Sequence, residues 1–184
     1  NYGSSHKEKE FYAAQQTCKE LGLFLEEVKL TGNILSDSSL VDKSIRTPDD
    51  LKDTINTVVP FRNIMMISIA ASYADKVNAG VIATSPTRED FDVFRDCRRE
   101  FHDALEKTLQ IAAKYDQPYQ ILTPFITNTK EDVIRIGVDM DVDFSKTWSC
   151  YNPQRDEPCG VCPACRVREK GFMLAGVKDP LRRN

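Results

Sequence analysis

Four cysteines near the end of the chain restrict its fold more than any other feature. Cys150, Cys159, Cys162 and Cys165 follow the spacing C-x8-C-x2-C-x2-C. Gly160 and Pro163 divide the run into short turns, so the four sulfurs are able to converge on one tetrahedral cation. A disulfide framework is disfavoured, because Cys18 and Cys97 are scattered and unmatched and a reducing cytosol is the expected setting. Zinc is the favoured ion; an iron–sulfur cluster takes the same four thiolates, and an oxidised pair is the other alternative. With cysteine in all four positions none stays open for water or substrate, so the metal is expected to be structural. Such a staple contributes about 10–16 kcal/mol of apparent binding in small peptides, enough to order a segment with little apolar core.

The 184 residues suffice for one sizeable α/β domain. A formal charge of -3 and a pI near 5.5 argue against wrapping nucleic acid, which requires a basic face. No apolar run approaches the ~20 residues of a membrane helix, and no signal segment opens the chain. A cytoplasmic protein is expected.

Apolar spacing predicts a helix over Ser4 to Leu21, with Phe11, Ala14, Cys18 and Leu21 on one face and Gly22 as its C-cap. A short strand is expected over Leu23 to Leu30. The polar stretch from Thr31 to Pro60 reads as a functional lid or mobile loop. A helix buried on most sides is expected over Asn63 to Gly80, then a buried strand over Val81 to Ser85. A further helix spans Asp96 to Lys114, with Asp96 as N-cap and Phe101, Ala104, Leu105, Leu109 and Ala112 facing inward. A strand over Pro118 to Phe125 and a helix over Lys130 to Val138 complete the pattern. Strands alternating with helices imply an α/β fold, a doubly wound parallel sheet with helices on both faces. Ligands then sit beyond the carboxyl ends of the strands. The organisation read from sequence is an α/β nucleotide-binding domain over 1–146 and a zinc-binding segment over 147–184.

The residues that carry chemistry fall into ordered motifs. "TWSCYN…CGVCPACRVREKGF" (Thr147 to Phe172) resembles the tail of the 7-cyano-7-deazaguanine synthases, ATP-dependent enzymes of the queuosine and archaeosine pathways, with the pattern TWSCY…CG.C..C..R…F. "YGSSHKEKE" (Tyr2 to Glu10) is similar to that family's YGQRH segment, "VPFRN" (Val59 to Asn63) to VPGRN, "DCRREF" (Asp96 to Phe101) to DCRPEF, and "TKEDVIRIG" (Thr129 to Gly137) to TK.EI…G.

The resemblance implies an ATP pyrophosphatase-like, Rossmann-like fold with a zinc knuckle built from four cysteines. It implies that ATP with Mg²⁺ activates 7-carboxy-7-deazaguanine as an acyl adenylate, that ammonia gives the amide, and that a second ATP-dependent step gives the nitrile. A homodimer is also implied, with Met65, Met66 and Ile67 as a candidate apolar face. Among matching positions, Arg62 and Asn63 are candidates to hold a carboxylate or phosphate at a helix start. Asp96 and Arg98 are candidates to meet the deazaguanine edge or its carboxylate, with Asp90 a weaker one. His6, Lys130, Arg166 and Arg168 are the candidate nucleotide-facing residues. Cys97 is expected to be packing rather than a nucleophile.

Three departures bear on activity. The family's SGG.DS pyrophosphate loop has no counterpart here and is expected upstream of Asn1; without its N–H groups the chain is expected to activate ATP poorly. Ser4 and Ser5 replace Gln and Arg of YGQRH. "SPTREDFDVFRDCR" (Ser85 to Arg98) replaces GVN..DYSGYPDCR, losing Gly and Asn at Ser85 and Thr87 and Pro at Arg95. The competing expectations are a paralogous ligase that joins a deazaguanine carboxylate to a protein or nucleic acid amine, and a non-catalytic zinc-knuckle binding protein.

Overall fold

The computed structural model describes residues 1–30, 35, 37–49, 54–114 and 118–182. Part of the expected 31–60 loop, residues 31–34, 36 and 50–53, lies outside them. The chain divides into two compact units, one of Asn1–Pro60 with Ile134–Asn184, the other of Phe61–Val133. The cysteine segment thus shares a unit with the first helix.

In the first unit α1 runs Lys7–Leu21 and ends as the sequence foretells: Gly22 is left-handed at φ 64°, and the N–H groups of Gly22 and Leu23 close on Lys19 O and Cys18 O. Its expected apolar face is only half-buried, and Leu21 is exposed. The segment expected as a strand over Leu23 to Leu30 is not one. It is tied to the chain start at Asn1, whose N-terminal amine donates to Val28 O at 2.6 Å and whose carbonyl accepts from Leu30 N–H at 2.8 Å. The described part of the 31–60 stretch is anchored rather than loose: Leu40 and Ser38 are fully buried, and Thr54–Thr57 forms a 3-10 turn.

Helix α4 (Lys130–Asp139) and helix α5 (Pro163–Ala175) complete this unit, α4 beginning in the other. Ile134 of α4 packs on Phe172 and Ala175 of α5, with Phe144 and Val177 beside them. The rings of Phe144 and Phe172 meet edge-to-face at 5.2 Å. Gly137 makes that packing possible, because a Cβ there would come within 2.5 Å of the Phe144 ring.

The second unit is a small α/β layer. Strand β1 (Val81–Ala83) pairs in parallel with β2 (Gln120–Leu122), in the register Val81↔Gln120, Ile82↔Ile121, Ala83↔Leu122. Parallel pairing is as expected, with two strands among the described residues, each shorter than its sequence run. Only Ile82 and Ile121 point inward; Val81 and Leu122 are exposed, so the strands are covered on one face rather than buried on both. Helix α2 (Arg62–Val77) supplies Ile67 and Ala74 to this core, and helix α3 (Arg99–Ala112) supplies Leu105. Burial of each large aliphatic here is worth about 1.5–3 kcal/mol.

Three details correct the sequence reading. Helix α2 is not buried on most sides, since Ile64, Met66 and Val77 are exposed; it ends at left-handed Asn78 instead of Gly80. Helix α3 starts after Arg98, so Asp96 is not its N-cap and sits in the 3-10 turn Arg95–Cys97. Its buried face holds His102 as well as Leu105, while Ala104 and Ala112 are exposed. The outer N–H of Ile121 donates to Glu106 Oε2 at 2.7 Å, so the side of β2 away from β1 is satisfied by a side chain. Phe61, where the similar motif carries glycine, is left-handed at φ 57° and exposed.

Substituting Gly137→Ala is expected to force Phe144 off Phe172 and to destabilise the protein by about 1–3 kcal/mol, read as a lowered midpoint in denaturant titration.

Candidate metal centre and the loops beyond the strands

The four predicted cysteines do converge. Their sulfurs all lie within 4.8 Å of one another, and Cys159 Sγ is 4.0 Å from Cys165 Sγ. Four sulfurs at about 2.3 Å from a tetrahedral ion stand about 3.8 Å apart, so a metal requires only a small inward movement. All are free thiols. Cys150, Cys162 and Cys165 are buried, with Trp148 and Tyr151 packed around them. The turns predicted from Gly160 and Pro163 aim backbone donors at sulfur: Cys159 N–H donates to Cys150 Sγ at 3.3 Å and Cys162 N–H to Cys159 Sγ at 3.4 Å. Such contacts stabilise thiolates and fix ligand orientation.

Electrostatics favour a cation at this place. Hydrogen bonds from Cys150 and Cys165 hold the Cys162 thiol far below its ordinary value. The hydrogen bond to Cys162 pushes Cys150 up to about 12, and bonds with Cys150 and Cys162 push Cys165 up as well. Ionising one of these thiols therefore works against ionising its neighbours. A divalent ion reverses that balance, since coordinating thiols are deprotonated.

The segment around the cluster is fastened by Arg168. Its Nε and Nη2 each donate to a carboxylate oxygen of Asp179 at 2.8 Å, Nη1 donates to Thr147 Oγ1 at 2.8 Å, and Nη2 reaches Phe144 O at 3.2 Å. Arg168 is buried and lies over the Phe172 ring. A phosphate at this guanidinium would have to displace Asp179, so the geometry gives Arg168 a structural part. Arg166, half-exposed, faces Glu169 at 3.6 Å. His6 is buried, with Nε2 3.3 Å from Glu10 and its ring 5.5 Å from that of Tyr151.

The other predicted residues lie in the second unit, and most gather in the loops beyond β1 and β2. Asn63 N–H faces Asp96 Oδ2 at 3.4 Å, and Asn63 Nδ2 donates to Asp96 O at 3.3 Å and Cys97 Sγ at 3.5 Å. Asp96 thus serves the start of α2 instead of capping α3. Arg98 Nε donates to Phe91 O at 2.9 Å, and its terminal nitrogens have no partner among the described residues. Lys130 begins α4, and its N–H donates to Glu89 Oε1 at 2.8 Å. A carboxylate of the protein therefore already occupies the helix start expected to meet phosphate.

Capping boxes hold these loops in place, and they take up Asp90, a weaker substrate-contact candidate in the sequence, for a structural part. Thr87 and Asp90 form a capping box, and Thr129 with Asp132 repeats it, with both bonds to Asp132 Oδ2 at 2.8 Å. The shared T-x-x-D spacing was visible in sequence. His102 Nδ1 lies 2.9 Å from Arg98 O and Nε2 3.3 Å from Thr84 Oγ1. A carbonyl only accepts, so Nδ1 carries a proton and donates to Arg98 O.

The comparisons now bear on this arrangement. Residues 1–176 match the family described as Queuosine biosynthesis protein QueC. The chain belongs to that family. It is 36% identical to a 7-cyano-7-deazaguanine synthase of Clostridium kluyveri, over 99% of this chain and 83% of that protein. The synthase of Nitratiruptor sp. is 36% identical over 98% of this chain and 83% of its own length, and that of Methanospirillum hungatei is 34% identical over 98% and 84%. In this QueC-family chain no helix among the described residues is long and apolar enough to cross a membrane.

Elemental analysis of reduced protein is expected to find one metal ion per chain, lost in Cys162→Ser, with a lowered unfolding temperature after chelation. Sulfurs found bonded to one another would refute the centre. Cys97 gives a second test. Burial, aided by the carboxylates of Asp90 and Asp96, pushes its thiol up to about 12, leaving about one thiolate in ten thousand at pH 8. Iodoacetamide at pH 8 should leave Cys97 unlabelled in the folded protein and label it after unfolding, as read by peptide mass spectrometry.

Proposed function

We propose that this chain makes 7-cyano-7-deazaguanine from 7-carboxy-7-deazaguanine and ammonia, driven by ATP. The observation that carries the reading is the 36% identity to a 7-cyano-7-deazaguanine synthase across 99% of the chain. The positions similar to the synthase motifs support it, since several gather in the loops that follow two parallel strands, where α/β folds bind ligands.

The chemistry asks for activation, since a carboxylate oxygen is a poor leaving group. Attack of that oxygen on the α-phosphorus of ATP, assisted by Mg²⁺, releases pyrophosphate and makes AMP the leaving group. Ammonia displaces AMP to give the amide; the amide oxygen then attacks the α-phosphorus of a second ATP, releasing pyrophosphate, and leaves carbon as part of AMP while nitrogen loses its two protons, giving the nitrile. The protein contributes position and charge. Arg98 holds the carboxylate through its terminal nitrogens, Nε being fixed on Phe91 O. Asn63 and His102 keep Asp96 and Arg98 in place, and Asp96 accepts from the purine-like edge. Arg62 lies at the same helix start. His6, Lys130 and Arg166 serve the nucleotide, and Arg168 supports them through the fold. Zinc in the four-cysteine centre is structural. The protein works as a homodimer in the cytoplasm.

Supplied with the carboxylate, ATP, Mg²⁺ and ammonia, the protein should yield amide and then nitrile by mass spectrometry; formation of neither overturns the reading. Arg98→Ala should lower kcat/KM for the carboxylate about ten-fold or more, with an unchanged unfolding temperature.

A further inference from the structure

Helix α1 has no buried residue, and no side chain caps its start. A lone helix of 15 residues is marginal in water, so contacts made elsewhere must hold α1. Lys146 Nζ ties its far end, donating to Glu20 Oε2 at 2.9 Å. At its first turn the contacts reach the cysteine segment. Ser5 Oγ donates to Tyr151 O at 3.3 Å, and the His6 ring stands 5.5 Å from the Tyr151 ring, tilted by 44°. Lys9 Nζ donates to Asp156 Oδ1 at 2.6 Å and lies 5.6 Å from the centre of the Trp148 ring. His6 is therefore buried although the helix it precedes is not.

Tyr151 and Asp156 belong to the loop from Cys150 to Cys159, so each end of that loop is a metal ligand predicted from the sequence. Within it Gln154 and Glu157 exchange backbone hydrogen bonds at 2.9 and 3.1 Å, and residues 154–157 are exposed. A hairpin of this kind is marginally stable at best on its own. Closing both ends on one ion fixes the loop. Trp148 is fastened to the same end, its Nε1 donating to Cys150 O at 3.0 Å.

We infer that the cysteine centre positions the His6 ring as well as the C-terminal segment. A metal held by the four sulfurs fixes the 150–159 loop, and the loop fixes the start of α1 through Tyr151 and Asp156. Tyr151, Asp156 and Lys9 are positioning residues in this linkage. Such coupling is reciprocal, so breaking the contacts on the α1 side weakens metal binding in turn.

The chain holds two histidines, His6 and His102, so the imidazole signals of the full chain in a proton–nitrogen NMR spectrum give one reporter and one control. His102 lies in the other unit, on Arg98 O and Thr84 Oγ1. Removing the metal with a chelator, or by Cys162→Ser, should move the His6 signal and leave that of His102 in place. Lys9→Ala, with its metal retained, should move His6 alone and lower metal affinity about two- to five-fold, the range of a partly exposed ion pair, as read by competition with a chelating dye. Lys9→Arg should restore both. A His6 signal that stays put on metal removal, an unchanged metal affinity in Lys9→Ala, or joint movement of both histidines would each overturn the inference. One consequence rests on the function proposed above, in which His6 serves the nucleotide: the KM for ATP rises in Lys9→Ala and the KM for the carboxylate does not. A His6 signal that follows the metal, in a protein that forms no amide or nitrile, keeps this inference and refutes the synthase reading. Nitrile formation with an unmoved His6 signal does the reverse.

Discussion

Four sulfurs confined within 4.8 Å form an arrangement that protein groups do not stabilise as four thiolates. Thiolates at these distances repel one another, so four of them require a cation. The C-terminal segment depends on that requirement. Its apolar support is small, a cluster of Phe172 and Ala175 against Ile134 with Phe144 and Val177 beside them. The buried pair Arg168–Asp179, at 2.8 Å, closes the segment on the other side. A buried ion pair is a poor source of net stability but strict about geometry when all its donors are matched. Metal and ion pair thus divide the labour: the first supplies binding energy, the second sets register.

In the second unit the same polar device appears twice. Each loop that leaves a strand reaches a threonine whose hydroxyl and N–H are both held by an aspartate three residues on, Thr87 with Asp90 and Thr129 with Asp132. Arg88 N–H also donates to Asn128 O at 2.9 Å, tying the two loops together. Rigid loops beyond a parallel sheet hold binding groups at fixed positions without a large core beneath them.

The sequence revealed the cysteine centre, four of the five helices in outline and the parallel pairing, because each rests on local spacing or on a motif; helix α5 lay hidden in the run read as the metal-binding tail. It was less informative wherever a distant partner decides the outcome. Leu23 to Leu30 has the residues of a strand, but strand formation requires a neighbour that spacing does not supply. Asp96 has the right chemistry for a cap, yet it turns to α2. His102 lies four residues after Arg98 and drew no role from its spacing, although its two ring nitrogens meet Arg98 O and Thr84 Oγ1. Arg168 matched a motif, but its burial against Asp179 was not written in the spacing.

Glu106 gives the small sheet a direction. By occupying the outward N–H of Ile121, it removes a donor that an incoming chain would need on that flank. Lateral growth, whether by a further segment or by a second molecule in a crowded solution, is therefore turned away from β2 and towards the margin of β1, which no other strand covers among the described residues. A single carboxylate thus acts as a guard against edge-to-edge aggregation and fixes the side of the layer on which extension is favoured.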